Sequence, residues 1–334
     1  ALAYEITLGA KDEIPDVADP EAIPDDRLRL MFTCCHPGLP ADSRVALTLR
    51  LVGGLTTGEI ARAFLVPEPT IAQRLVRAKR TIRERSFPYE VPEGVELSAR
   101  LPAVLAVIYL IFNEGYAAHT GDALVRHDLC QEALRLGEIL VELMPREPEV
   151  LGLFALMELQ ASRAAARTDA GGNLILLADQ DRLRWDRARI ARGLAHLERA
   201  GPLERAGPYQ LQAAIAAGHA RATSWEATDW AQIVAHYDAL AEVAPSPVVE
   251  LNRAVAIGLA HGPEAGLAAL DAIDAAPLRE YHHLPAARAD FLRRLGRWAE
   301  AAAAYRRALG LVDNARERSF LAARLATCEA RGDG

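Results

Sequence analysis

Hydrophobic residues recur every three to four positions along most of the chain, which predicts amphipathic helices joined by short turns. Residues 174–177 suggest a short extended piece, but no run of alternating residues predicts a sheet. We therefore expect an all-α fold. Beyond residue 97, helices are predicted near 99–114, 123–144, 147–166, 180–200, 208–223, 229–243, 247–261, 263–273, 283–295, 298–311 and 315–330.

Residues 51–85 carry the most specific local pattern, a short helix, a tight turn and a second, strongly basic helix. Thr56 or Thr57 is suited to cap the first helix through its hydroxyl group. Pro67 disfavours helix at the preceding residue and ends the first helix there. Pro69 fits the first turn of the second helix, where a missing N–H costs nothing. This pattern predicts a helix-turn-helix.

Apolar side chains give each of these two helices a face that can be buried. The first helix presents Ile60, Ala61, Phe64 and Leu65. The small side chain of Ala61 allows the second helix to cross closely. The inward stripe of the second helix is predicted to consist of Ile71, Leu75, Ala78 and Ile82.

The other faces of the second helix are basic. Between residues 59 and 85, seven Lys and Arg residues oppose three Glu residues, a local balance of +4 in a chain of net charge −7. Such a local excess is the electrostatic footprint of a DNA-binding element. An ordinary surface helix with a solvated basic face is the alternative, but the two-helix spacing and the prolines favour DNA.

The position of each side chain on the second helix predicts its role. Residues at the start of a recognition helix meet base edges in the major groove, and Gln and Arg can each make two hydrogen bonds to a base. The candidates for base contacts are Thr70, Gln73 and Arg74. The candidates for phosphate contacts, which position the helix without reading sequence, are Arg77, Lys79, Arg80 and Arg83.

A family resemblance extends this interpretation. Residues 45–67 and 73–80 resemble region 4 of the extracytoplasmic-function (ECF) sigma factors of bacterial RNA polymerase. Residues 26–37, 109–116 and 177–186 are similar to the subgroup of these factors that carries a C-terminal tetratricopeptide (TPR)-like extension. The resemblance implies a four-helix region 4 domain at 27–87. It also implies binding to the −35 promoter element and to core RNA polymerase.

One departure from the family lies at the N-terminus. Region 2 precedes region 4 in sigma factors, and no similar segment precedes residue 27 here, so we expect a fragment of a longer protein. Residues 1–26 are acidic and contain several prolines, which predicts a solvated linker. The resemblance implies that this linker threads into the polymerase.

The segment 97–330 is predicted to form a helical TPR-like domain. Residues of the same type recur at an interval of 34 residues, which is the TPR period, or at twice that interval. We expect about three repeats between residues 228 and 330, preceded by less regular helix pairs. The recurring pairs are Trp230 and Trp298, Tyr237 and Tyr305, and Gly262 and Gly296.

Composition narrows the class of protein. The chain is 51% hydrophobic but only 6% aromatic, which is typical of helical proteins. We find no signal-peptide pattern and no uninterrupted apolar run of membrane-spanning length, and we expect a cytoplasmic protein with no membrane partner. Four cysteines in 334 residues do not form a disulfide framework.

Other chemically suggestive groups receive structural interpretations first. Cys34-Cys35-His36 suggests a metal site or a redox switch, but buried helix residues are favoured. His282-His283 is interpreted as a loop or cap, because neighbouring residues do not face one site. Residues 179–186 are interpreted as a helix cap with ion pairs, or as a clasp at a domain interface. Asn113, Glu114, Tyr116 and His119 either line a groove or satisfy a helix end.

These observations favour a transcription initiation factor. We expect no enzyme, no cofactor and no metal, because no nucleophile–base pair, phosphate loop or dinucleotide fingerprint is present in the sequence. Two alternatives remain. One is a TPR-type interaction scaffold, and the other is a helix-turn-helix regulator that does not act through core polymerase.

Overall fold

The computed structural model describes residues 24–64, 66–117, 123–169, 175–202, 206–312 and 315–332. Within these ranges the secondary structure is helical, without a strand, so the predicted all-α class is confirmed. The helices are α1 Pro24–Cys34, α2 Ala41–Leu51, α3 Thr57–Ala63, α4 Glu68–Glu84, α5 Gly94–Ala117, α6 Ala123–Leu143, α7 Pro148–Ala161, α8 Arg187–Ala200, α9 Pro208–Arg221, α10 Trp230–Val243, α11 Pro247–His261, α12 Pro263–Asp271, α13 His283–Arg294, α14 Trp298–Leu309 and α15 Ala315–Gly332.

The clearest difference from the predicted helices lies before α8. A helix was predicted from residue 180, but α8 begins at Arg187 because the side chain of Asp186 caps it, accepting a hydrogen bond from the Arg189 N–H at 3.0 Å. The preceding residues form two short 3₁₀ turns, Leu177–Asp179 and Arg182–Arg184. The described part of the predicted extended piece lies at the first of these turns and forms no strand.

The chain divides into two compact units, residues 1–157 and 158–334. The predicted domain boundaries at 27–87 and 97–330 remain predictions, because the division into compact units does not test where the DNA-binding domain ends. In the first unit, α1 to α4 form the four helices expected for residues 27–87. Helix α5 packs against α1 and α2, and α6 packs against α1 and α3. Residues 1–23 and His119 lie outside the described residues.

Helix α5 of the first unit is long and strongly hydrophobic. By length and composition alone, its residues 94–116 could cross a membrane, although the sequence contains no uninterrupted apolar run of that length. Its inner face packs against α6 in the core of the unit, which accounts for much of this hydrophobicity. The buried side chains on that face include Leu101, Val104, Leu105, Ile108, Ile111 and Phe112.

From α9 onward, the helices of the second unit pack mainly on their neighbours in the chain. Ile233, Leu267 and Ala301 occupy equivalent positions, 34 residues apart, and all three are buried. Gly262 and Gly296 both adopt positive φ values, 101° and 71°, at the turns that lead into α12 and α14. Since only glycine adopts this backbone region without strain, their spacing reflects a repeated turn.

A buried ion cluster joins the end of α7 to α8. The Glu158 side chain is only 5% exposed. It accepts a hydrogen bond from Arg189 Nη1 at 3.0 Å and two from Arg192, through Nε and Nη2, at 3.2 Å. Both carboxylate oxygens are therefore satisfied, which is the condition under which a buried charge is tolerated.

We predict that Glu158→Gln destabilises the second unit by about 2–3 kcal/mol. The change removes the buried anion that Arg189 and Arg192 share, and the usual penalty for breaking a buried pair is reduced because Arg192 is half exposed and Arg189 keeps its contact with Asp186. All four tryptophans lie in this unit, so urea unfolding followed by tryptophan fluorescence measures it selectively. Glu198→Gln, at an exposed site on α8, is the matched control. Equal midpoints for the two variants would contradict a stabilising role for the cluster.

Candidate nucleic-acid interface

The first helix of the predicted helix-turn-helix, α3, begins at a capping box formed by Thr56 and Glu59. The Glu59 N–H donates to Thr56 Oγ1 at 3.2 Å, and the Thr56 N–H donates to Glu59 Oε2 at 2.7 Å. This reciprocal pair satisfies two backbone donors at the helix start. It confirms Thr56, rather than Thr57, as the capping residue.

The prolines mark the start of α4 as predicted, but α3 ends at Ala63, three residues before the predicted end at Val66, because the chain turns there with the Val66 N–H bound to the Ala61 oxygen at 3.0 Å. Pro67 adopts an extended conformation, with φ −60° and ψ 140°, and α4 begins at the next residue with Pro69 in its first turn. The described part of α3 buries Ile60 and Ala61, Phe64 is half-buried, and Leu65 lies outside the described residues. The buried residues of α4 are the four predicted ones, Ile71, Leu75, Ala78 and Ile82.

Burial of that stripe leaves the opposite face of α4 exposed. Gln73, Arg77 and Arg83 on this face make no ion pair or side-chain hydrogen bond with the residues that the structure describes. Val76 lies among them with 66% of its surface exposed. Sequence analysis missed Val76, although its outward position follows from the helical period. An exposed aliphatic group among basic residues is suited to contact a thymine methyl group.

Two of the candidate arginines already hold acidic partners. Arg74 Nη2 lies 3.0 Å from Asp42 Oδ2 at the start of α2, and the Arg74 side chain is 31% exposed. Arg80 Nε lies 2.6 Å from Glu84 Oε1 one turn along α4, and this contact raises the pKa of Arg80. A nucleic acid must displace these carboxylates to use the nitrogen that each of them engages.

The remaining two candidates lie beside the outward face. Thr70 is half-buried in the first turn of α4. Lys79 is also half-buried, and its charge acts on the thiol of Cys34, so it lies on the flank directed toward α1. The candidates thus form an exposed strip with half-buried margins, rather than seven equivalent contacts.

The turn between α2 and α3 is held from outside the helix-turn-helix. Arg135 of α6 donates from Nη2 to the backbone oxygen of Val52 at 3.1 Å and pairs with Glu132 at 2.7 Å. A Cβ at Gly53 would lie 2.7 Å from the Leu49 oxygen and 2.8 Å from Glu132 Oε1, so only glycine fits between these two groups. Burial raises the pKa of Glu132, while hydrogen bonding to Arg135 opposes that shift.

A second arginine fixes the end of α1. Arg100 of α5 is 5% exposed and donates from Nη2 to the Phe32 backbone oxygen at 3.0 Å. A cation at the C-terminal end of a helix also interacts favourably with the helix dipole. Arg100 and Arg135 therefore both bind backbone oxygens at helix ends within the candidate DNA-binding domain. Sequence reasoning missed them because they lie far from it along the chain.

The cysteine pair is structural, as favoured from the sequence. Cys34 and Cys35 are buried and free, and the Cys35 Sγ lies 3.4 Å from Thr48 Oγ1. Burial raises the pKa of Cys35 to about 11 and that of Cys34 well above its usual value. His36 stacks on Phe87 and accepts a hydrogen bond from the Gly38 N–H at 3.0 Å. Burial lowers the pKa of His36.

The polar segment around Trp185 has the predicted capping role. Asp181 accepts a hydrogen bond from the Leu183 N–H at 2.9 Å, and Asp186 caps α8 as described above. Arg182 lies over the buried Trp185 ring and donates to the backbone oxygens of His219 and Ala222, at the end of α9. The segment therefore joins parts of the second unit to each other.

Comparison with known families agrees with this geometry. Residues 29–82 match the family Sigma-70, region 4, so the chain carries a sigma-factor-like DNA-binding domain of the kind used in transcription initiation. Residues 100–201 match a family of unknown function (DUF6596). Arg100 and Arg135, which donate to backbone oxygens at the ends of α1 and α2, both fall in this second match.

The chain also resembles a curated protein along most of its own length. It is 48% identical over 311 residues to uncharacterized protein R00370 of Rhizobium meliloti (strain 1021), a match that covers 93% of this chain and 73% of that protein. At this identity and coverage, the chain belongs to the same family as that protein.

We predict that the native protein resists thiol reagents. At pH 8, the raised pKa values keep Cys34 and Cys35 protonated, and burial excludes the reagent from Cys130 and Cys328 as well. An Ellman assay should count fewer than one thiol in the folded protein within minutes and all four after denaturation in guanidinium. Rapid reaction of two thiols in the folded protein would instead support a redox switch at Cys34 and Cys35.

Proposed function

We propose that this chain is the promoter-reading part of an ECF sigma factor, which recognises the −35 element through α4 and binds core RNA polymerase. The observation that carries the proposal is the exposed face of α4. It combines free amide and guanidinium donors with an aliphatic side chain, on a helix whose inner stripe is buried. The region 4 match favours a sigma factor over a scaffold or another type of regulator.

The C-terminal helices would form a TPR-like regulatory extension that docks on polymerase or on a protein partner. Buried residues and positive-φ glycines recur at an interval of 34 residues, which supports this assignment. Stacked helix pairs commonly present surfaces for protein binding. We place the protein in the cytoplasm, where a factor that works with RNA polymerase must act.

Promoter-dependent transcription tests the proposal directly. The chain, joined to a region 2 segment, should direct core polymerase to specific start sites in a pool of genomic fragments. The double variant Arg77→Ala/Arg83→Ala should lose those transcripts, because it removes two exposed contacts from α4. If both proteins give the same transcripts, or if neither gives any, a sigma function that depends on α4 is excluded.

The predicted division between base and phosphate contacts gives a second test. Arg74→Ala should reduce discrimination at one base position of the −35 element by about tenfold or more, since a bidentate base contact contributes about 1–3 kcal/mol. Arg80→Ala should weaken specific and non-specific binding alike and lower the salt dependence by about one charge. Fluorescence anisotropy over a series of salt concentrations and single-base variants measures both effects.

Two control variants keep this test sharp. Asp42→Ala removes the ion pair of Arg74 but keeps the guanidinium group, so discrimination should persist if Arg74 reads a base. Arg146→Ala removes an exposed charge from the same unit, outside the helix-turn-helix, and should change neither quantity. If Arg74→Ala and Arg80→Ala behave identically, the division of roles is wrong.

A further inference from the structure

Two adjacent histidines and one glutamate converge at neighbouring helix starts in the second unit. His282 immediately precedes α13, His283 is the first residue of that helix, and Glu317 lies in the first turn of α15. The predicted cap position of His282 is therefore confirmed. The accompanying expectation that two neighbouring histidines cannot face one site is wrong, because their ring centroids lie 3.9 Å apart.

The donor atoms of the three side chains are close together. His282 Nε2 lies 3.1 Å from Glu317 Oε2. One ligand atom from each of the three residues can be chosen so that all lie within 4.8 Å of one another. Metal–ligand bonds of about 2.0–2.1 Å in a tetrahedral site place donors roughly 3.4 Å apart. The first pair already meets that spacing, and the exposed His283 ring needs to move by only about an ångström.

The surroundings hold these side chains near that arrangement. The Tyr281 ring packs edge-on against His283, with centroids 4.8 Å apart. The Ala286 N–H donates to the His282 backbone oxygen at 3.1 Å, which fixes the start of α13. The His282 and Glu317 side chains are 19% and 32% exposed, so both are partly shielded from water, while His283 keeps the site open to solvent.

We propose that His282, His283 and Glu317 form a binding site for a divalent transition cation of the Zn²⁺ class. Two imidazoles and one carboxylate are a donor set that zinc accepts, whereas Mg²⁺ and Ca²⁺ prefer oxygen ligands. Three protein ligands leave a fourth position for water or for a side chain of a partner. None of the side chains proposed for DNA contact is involved.

The cation would connect two segments that are distant in sequence. Its ligands come from the connection before α13 and from the start of the last helix, α15. Bound metal would fix the last helix against the preceding pair, because breaking the link would require loss of a ligand. Metal binding therefore provides a way to adjust the rigidity of the C-terminal helices.

The test titrates the untagged full-length chain with Co²⁺ and, in parallel, measures Zn²⁺ binding by equilibrium dialysis. We expect one equivalent of Zn²⁺, a rise in the Tm of the second unit reported by tryptophan fluorescence, and the visible absorption of four-coordinate Co²⁺. His283→Ala and Glu317→Gln should each lower the Zn²⁺ affinity at least tenfold. Because His283 is exposed, its replacement should leave the fold unchanged, which circular dichroism checks.

The matched control is His261→Ala, which removes an exposed histidine from the last turn of α11 in the same unit. This variant should keep the affinity of the unaltered protein. The proposal is overturned if His283→Ala binds Zn²⁺ normally, if His261→Ala loses as much affinity as His283→Ala, or if only weak binding of several equivalents is found. These outcomes do not depend on whether the chain acts as a sigma factor.

Discussion

Close approach of helices through small side chains is the constraint on which the rest of this structure depends. With so few aromatic residues, the chain fills its interior by bringing helix backbones together. Ala61 and Ala78 are buried on the two helices of the helix-turn-helix. Gly137 leaves room for Phe154 and Met157, and Gly258 meets Gly266 beneath the ring of Phe291. A larger side chain at any of these positions would force neighbouring groups apart, so small residues are as restrictive here as large ones are elsewhere.

Much of this architecture could be predicted from the sequence, because local rules determine it. The period of apolar residues identified the stripe of α4, Thr56 marked the start of α3, and Pro67 and Pro69 marked the start of α4. The end of α3 was predicted less well, since it lies at Ala63 and not at Val66. The interactions that escaped prediction join residues distant in the chain, such as Arg100 with the Phe32 oxygen or Glu158 with Arg192. An arginine on a helix has the same local pattern whether it is solvated or clasps a buried carbonyl group. The candidate interface followed the same division, since its exposed face was predictable but the partners of Arg74 and Arg80 were not.

The contacts of Arg100 and Arg135 change how the two family matches relate to each other. One match ends at residue 82 and the other begins at residue 100, which suggests independent modules. In the first unit, however, side chains from the second match satisfy backbone oxygens at the ends of α1 and α2. Removing α5 and α6, which supply these side chains and pack against α1, α2 and α3, would leave the two oxygens without these partners and expose apolar faces that the packing covers. The first part of the segment that matches the family of unknown function is thus packed together with the DNA-binding helices.

The ion pairs on α4 affect the rate of an encounter differently from its final strength. Long-range attraction depends on net charge, and a guanidinium group beside a carboxylate acts at a distance as a dipole. Arg74 and Arg80 therefore contribute little to the diffusional steering of a polyanion toward the helix. Their strong interactions begin only once phosphates or bases come close enough to replace Asp42 and Glu84. Such a surface collides with nucleic acid less often than its count of basic residues implies, yet it keeps its full set of donors for a ligand that stays.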